Sequence, residues 1–246
     1  EVERNTGYPV SIEVTPGLPT HARMASARPD APFHVIEVNA KHRAHADYIV
    51  AAQCHMLLVS WSDPSAVRGI SMCPEEAGRR IEMWSKAEPS KFPDATKKAE
   101  LGTFYLRGLL NQVFSIPMEI VVAGRIFAEA PSLRASQQLL QDAYLRQMSS
   151  MFAPDFRTAL PEEVFRANAA MAAALVMNWC QLTGQTAPLI PYESVGAVEP
   201  GKHLLELTKD LAATRTSASL AKTVDDWAEL LSLRPLYTWE FSDRRS

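Results

Sequence analysis

The segment Phe33–Trp61 reads FHVIEVNAKHRAHADYIVAAQCHMLLVSW, and the change of period inside it decides the fold. FHVIEVN, Phe33–Asn39, places β-branched residues near alternation, the mark of a strand with one buried face. From Ala46 the pattern turns helical. Ile49, Ala52, Gln53, Met56 and Ser60 fall on one side with Val50 and Leu57 beside them, which predicts a helix over Ala46–Ser60 with a broad apolar face.

Upstream, YPVSIEV, Tyr8–Val14, is a second strand signal. Between the two strands, Thr15–Pro32 carries Pro16, Gly17, Pro19, Pro29 and Pro32 and predicts a loop or a long hairpin connection. Downstream, Asp63-Pro64 is a stop, and Cys73-Pro74-Glu75-Glu76 opens a helix running to about Lys86, with proline in the first turn and acids at the positive end of the dipole. Pro-rich AEPSKFPDAT, Ala87–Thr96, marks a boundary between an α+β part, 1–90, and a helical domain, 97–246. In the second part Leu101, Phe104, Tyr105, Leu109 and Leu110 predict a helix over 97–112, and Ser115 a cap for another over 116–129 with Pro117 in its first turn. Pro131 and Pro161 open two more, the second ended by Gly184. A loop over 185–201 leads to helices at 202–214 and 221–233. The expected class is mostly α (α+β): a small N-terminal β-sheet packed with helices, followed by a multi-helix domain.

Composition narrows function by exclusion. The 246 residues are 47% hydrophobic and 22% charged, with 25 basic and 28 acidic residues interspersed to a net −3. That balance builds no field for nucleic acid or anionic lipid, and the basic pairs Arg79-Arg80, Lys97-Lys98 and Arg244-Arg245 lack interleaved aromatics. Cys54, Cys73 and Cys180 are sparse and contain no C-x-x-C, which predicts reduced thiols and a cytoplasmic setting. EVERNTGYPVSIEV has no signal-peptide h-region, and the apolar run Ala169–Met177 is too short for a bilayer and predicts a buried helix.

Four histidines, His34, His42, His45 and His55, fall within 22 residues. Converging imidazoles bind zinc and activate water, so His42, His45 and His55, with Asp47 or Glu37, are candidate ligands. His42 and His45 can share a helix face. His55 lies ten residues beyond His45, roughly 280° around a helix, so convergence needs a break between Arg43 and Tyr48. HLLEL, His203–Leu207, has the spacing of an inverted zinc motif but leucine at the second histidine. The acidic pairs Glu75-Glu76 and Glu162-Glu163 complement helix dipoles, and Asp225-Asp226 sits on a polar face. There is no G-x-S-x-G, G-x-G-x-x-G or P-loop, and Cys54 reads as a small core residue. SIPMEIVVAGRIF after LLNQVF has a helix-turn-helix layout, but with only Glu119 and Arg125 as polar side chains it favours core packing over base reading.

FHVIEVN followed by ADYIVAAQCHMLL resembles the strand-then-helix core of the ImmA/IrrE-type zincin-like family, whose helix bears His-Glu-x-x-His, and LLNQVFSIPMEIVVAGRI resembles a later segment of it. The resemblance covers Phe33–Phe127. It places Ala52 and Met56 at the two histidine positions and Gln53 at the glutamate, so neither the metal ligands nor the general base are present. What it implies is a degenerate metallopeptidase scaffold serving as a regulatory or interaction protein, with a protein partner and a remnant binding site at Gln53, Cys54 and Met56. Two other classes stand beside it: a zinc-dependent hydrolase using the His42, His45 and His55 set, and a helical assembly subunit with Ala169–Met177 as interface.

Overall fold

The computed structural model describes residues 1–28, 30–62, 65–92, 94 and 97–243; the Asp63-Pro64 stop, the Arg244-Arg245 pair, Pro29 and, in the linker, Pro93, Ala95 and Thr96 lie outside them. The fold is mostly α with a small N-terminal sheet. Helix α1, Val2–Thr6, ends at Gly7 with φ 76° and leads into β1, Val10–Thr15. Strand β3, His34–Asn39, is the centre of a three-stranded sheet, parallel to β1 and antiparallel to β2, Ala22–Ala25. Its Ile36 and Val38 are fully buried.

Strand β2 falls inside the expected loop. ARMA is four residues without a β-branched side chain, so it carries no strand signal of its own; pairing with Val35–Val38 and the Arg23–Glu37 ion pair hold it in register. Asn39 closes this corner. Its Nδ2 donates to the Leu18 and Thr20 carbonyls at 2.7 and 3.1 Å, while Oδ1 accepts from the Lys41 N–H at 3.0 Å. A 3-10 stretch, Ala40–His45, then feeds α2, Ala46–Ser60.

A second sheet has no counterpart in the sequence reading. Strand β4, Ser65–Met72, pairs antiparallel with β5, Tyr237–Asp243, from the far end of the chain. Helix α3, Pro74–Ala87, follows, and a 3-10 turn at Pro89–Lys91 occupies part of the expected linker. The two helices expected at 97–112 and 116–129 are one, α4, Lys98–Glu129. Pro117 removes the N–H that would meet the Val113 carbonyl, a defect that normally ends or kinks a helix; here Val113, Ile116, Pro117 and Met118 are all buried and packing carries the helix through. The helix-turn-helix layout is thereby corrected.

Helices α5, Arg134–Ser149, α6, Pro154–Ala159, and α7, Glu162–Thr183, come next, α7 ending at Gly184 with φ 74°. The loop over 185–201 holds a 3-10 turn, α8, Ile190–Glu193, and the start of α9, Val198–Leu207. The helix expected over 202–214 is interrupted at Thr208, giving α9 and α10, Lys209–Thr214. The last, α11, is Ser217–Leu230, four residues earlier than expected at its start. The cause is a capping box: Thr216 Oγ1 accepts from the Ser219 N–H and Ser219 Oγ from the Thr216 N–H, both at 3.1 Å.

A large apolar cluster spans α3, α4, α7, α9 and α11, and a smaller one joins α1, β3 and α2. Helix α4 touches α2, α3, α5, α7, α10, α11 and β4. Among the described residues it is the one helix long and apolar enough to cross a membrane by length and composition, and 61% of that apolar window is buried inside the protein. The Ala169–Val176 run is buried within the chain as the face on which α9 packs. There a Cβ on Gly201 would lie 2.7 Å from Ala173 Cβ and 3.0 Å from the Ala174 nitrogen.

Two predictions follow from this packing. Because the obstacle at Gly201 includes backbone, Gly201→Ala lowers stability by about 1–3 kcal/mol in urea unfolding. Gly78→Ala on α3, where a Cβ meets nothing within 4 Å, is neutral or stabilising by up to about 1 kcal/mol. His34 gives the second. It is fully buried, its Nδ1 accepts from the Ala27 N–H at 3.1 Å, and Nε2 lies 3.1 Å from Thr6 Oγ1. Burial lowers its pKa below the ordinary 6.5. A histidine depressed in the folded state binds its proton more readily unfolded, so stability present above pH 6.5 is lost as the pH falls. Urea midpoints measured from pH 8 to 5 decline for the wild-type protein and decline less for His34→Gln.

Candidate functional site: a cavity between α2, α4 and α5

Helix α2 is half-buried almost all round because it serves both clusters. Ile49, Cys54, Leu57 and Leu58 belong to the side facing the N-terminal sheet, whereas Ala51, Ala52 and Met56 pack toward the large core. Where α2 separates from α4 and α5, a cavity of about 410 Å³ opens, lined on α2 by Tyr48, Ile49, Ala52, Gln53 and Met56. Ser115, Glu119, Val122 and Ala123 of α4 and Leu140, Gln141, Tyr144 and Gln147 of α5 complete the walls. Exposed Pro19, Thr20 and Gln147 form the rim, with His21 beside them. Gln137 braces the α4–α5 wall, Nε2 donating to the Ala123 carbonyl at 2.8 Å.

Among the described residues Glu119 is the one acid lining this cavity, and no Lys or Arg lines it. Burial raises the carboxyl above the ordinary glutamate value, opposed only by a hydrogen bond from Ser115 one turn earlier. The same environment acts on the phenols. Tyr48 is pushed up to about 12 by burial and by the Glu119 charge. Tyr144 is raised by burial, then by Glu119 and Tyr192. His21 is lowered, first by burial and then by His42, so it stays neutral over a wider range. The site therefore offers one carboxyl whose pKa is raised, two phenols and several carboxamides.

The residues singled out by sequence divide. Gln53 and Met56 line the cavity, with Ala52. Cys54 packs against the N-terminal cluster, its thiol raised by burial. All three cysteines are free thiols. The histidines have separate surroundings. His42 stacks edge-on against His21 with ring centroids 4.3 Å apart, and His45 Nδ1 lies 3.1 Å from Ser136 Oγ on α5. His55 lies in the field of Arg125, Glu129, Glu1 and Arg215; its Nδ1 is buried without a partner and its pKa is lowered, chiefly by burial. Glu37 is taken by Arg23 and by Thr15 Oγ1 at 3.3 Å, and Asp47 is exposed. Among the described residues no group of three or more His, Cys, Asp or Glu is placed to hold a metal ion. His203 is exposed on α9, and Glu206 pairs with Lys209.

Glu119 is what sequence reasoning missed as a site residue. Its signal was a lone acid in the apolar run IPMEIVVAG: within seven residues of Glu119 on either side the only other charge is Arg125. Comparison adds no relative: no family model matches the chain, and neither curated proteins nor solved structures give a match.

The raised carboxyl fixes a linkage. A group whose folded pKa lies above its unfolded value stabilises fully below the unfolded value and loses that contribution as the pH rises through the folded one. Glu119→Gln removes the loss. The variant matches wild type in unfolding free energy from urea titration near pH 4 and exceeds it by about 1–3 kcal/mol at pH 8; equal pH profiles would show that the carboxyl is not desolvated.

Proposed function

We propose that the protein is a non-catalytic binding protein, regulatory in role and cytoplasmic in setting, that takes a small ligand or the side chain of a protein partner into the α2–α4–α5 cavity. The observation that carries this is the convergence of Ala52, Gln53 and Met56 with Glu119, Tyr48 and Tyr144 on one space of about 410 Å³. That size is ordinary for a ligand pocket, and a mostly apolar wall with a few convergent polar groups is the usual construction. The three α2 residues are those that the zincin-like resemblance aligns with the metal ligands and base. An amide, an alanine and a thioether there support binding rather than hydrolysis.

The zinc-dependent alternative requires His42, His45 and His55 to share a centre, and their separate partners favour the binding function instead. An assembly subunit built on Ala169–Met177 would need a surface other than the one α9 covers.

Ligand-observed NMR with a library of small polar-aromatic fragments tests the proposal. Fragments bind wild type, and Ala52→Leu, which adds three carbons to the cavity wall, abolishes their binding while keeping the fold by circular dichroism. Identical responses from wild type and Ala52→Leu would sink it. Metal analysis of tag-free protein runs alongside: stoichiometric zinc that disappears in His45→Ala would replace it with the hydrolase.

A further inference from the structure

The cavity has an electrostatic asymmetry that specifies its occupant. Glu119 is set in the wall of a space that, among the described residues, is lined by no Lys, Arg, Asp or second Glu. Among the described residues it makes no ion pair, although exposed acids elsewhere, such as Glu75, Glu82 and Glu206, do. The groups that face it are neutral: Ser115 on its own helix, the phenols of Tyr48 on α2 and Tyr144 on α5, with His21 on the loop before β2 at the same cavity. Glu119 is half-buried in that wall and has a hydrogen bond from Ser115 but, among the described residues, no counter-charge. Ionised in such a setting, a carboxylate is incompletely compensated, and a cation would complete it.

The geometry points to a protonated amine as the occupant, its ammonium paired with the Glu119 carboxylate and its carbon skeleton against Ile49, Met56 and Leu140; this rests on the cavity being a binding site. A cation supplies the missing partner. In a low-dielectric pocket a charge-assisted hydrogen bond is shorter and about twice as strong as a neutral one, and the Tyr48 and Tyr144 rings are walls of the kind that stabilise a desolvated cation. The carboxamides of Gln53 and Gln141 accept from the remaining ammonium N–H bonds. Where Glu119 starts out protonated, it gives its proton to solvent as the ammonium enters. Free amines and the lysine side chain share this chemistry.

Isothermal titration of the full chain with matched probes tests the assignment: butylamine, benzylamine and Nα-acetyl-lysine methylamide, each against an alcohol or a carboxamide of the same skeleton, from pH 5 to 9. At least one amine is expected to bind about tenfold or more tightly than its neutral partner. Its affinity falls toward the acid end of that range, where protonation of the Glu119 carboxyl removes the charge it pairs with, and Glu119→Gln, which keeps size and fold, removes the preference. A free amine outcompeting the lysine derivative assigns a small molecule; the reverse assigns a partner's lysine. If neutral probes bind as tightly as amines, or if Glu119→Gln retains the preference, the amine assignment is overturned and the cavity remains a binding site. If no amine, alcohol, carboxamide or library fragment binds, both fall.

Discussion

Burial of α4 is the constraint on which the rest depends. Thirty-two residues at about 1.5 Å each make a rod of roughly 48 Å, and Leu106, Leu109, Val113 and Ile116 along it are inaccessible to solvent. Most of the helices take their position from a side of this rod: α3 along its start, α7 and α11 along the middle, α2 and α5 toward its end. A polar residue on such a helix either points between its neighbours or is desolvated by them. Arg125 and Glu129 take the first course by pairing with each other at 2.9 Å. Glu119 takes the second, and the separation of α2 from α5 leaves it facing a space instead of a side chain.

Indole nitrogens fasten the elements to one another around that rod. Trp84 Nε1 donates to Glu163 at 2.7 Å, tying α3 to α7, and Trp179 Nε1 to Asp142 at 2.9 Å, tying α7 to α5. Trp227 donates to the Leu204 carbonyl at 2.8 Å, joining α11 and α9. Asp225 gathers three donors, the Tyr237 hydroxyl at 2.6 Å, Trp239 Nε1 at 3.0 Å and Arg234 Nε at 2.9 Å. A buried indole N–H left unpaired forfeits about 1–3 kcal/mol, so these acids are structural. Two of the acidic pairs that stand out in the sequence, Glu162-Glu163 and Asp225-Asp226, each contribute one such anchor.

The legible parts of the fold were those encoded locally. The bounds of α2 and the glycine that ends α7 follow from periodicity and capping chemistry within a dozen residues. What escaped was encoded by partners. Strand β2 exists through Ile36 and Glu37 of its neighbour, and β4, with Gly69 and Arg68 inside it, through a strand some 170 residues away. Pro117 reads as a boundary because proline defects are local, while the packing that overrides them is not. The site was half legible for the same reason. Gln53 and Met56 were found from the helix that carries them, but Glu119 sits in a segment whose apolar character pointed to core, and only the positions of α2 and α5 show that it borders a cavity.

The pairing of β4 with β5 sets an order of events during synthesis. Residues 65–72 leave the ribosome long before residues 237–243, and until the latter emerge β4 has no ladder partner in its sheet. Tyr237 and Leu236 are buried in the large core beside α11, so the core is completed at the same late moment. Non-local closure of this kind slows folding and leaves strand edges and apolar surface open in the interval. Until residues 237–243 emerge, the helices already made have an incomplete core to pack into. Conversion to the native state awaits a seven-residue strand, which makes that strand the timekeeper of assembly.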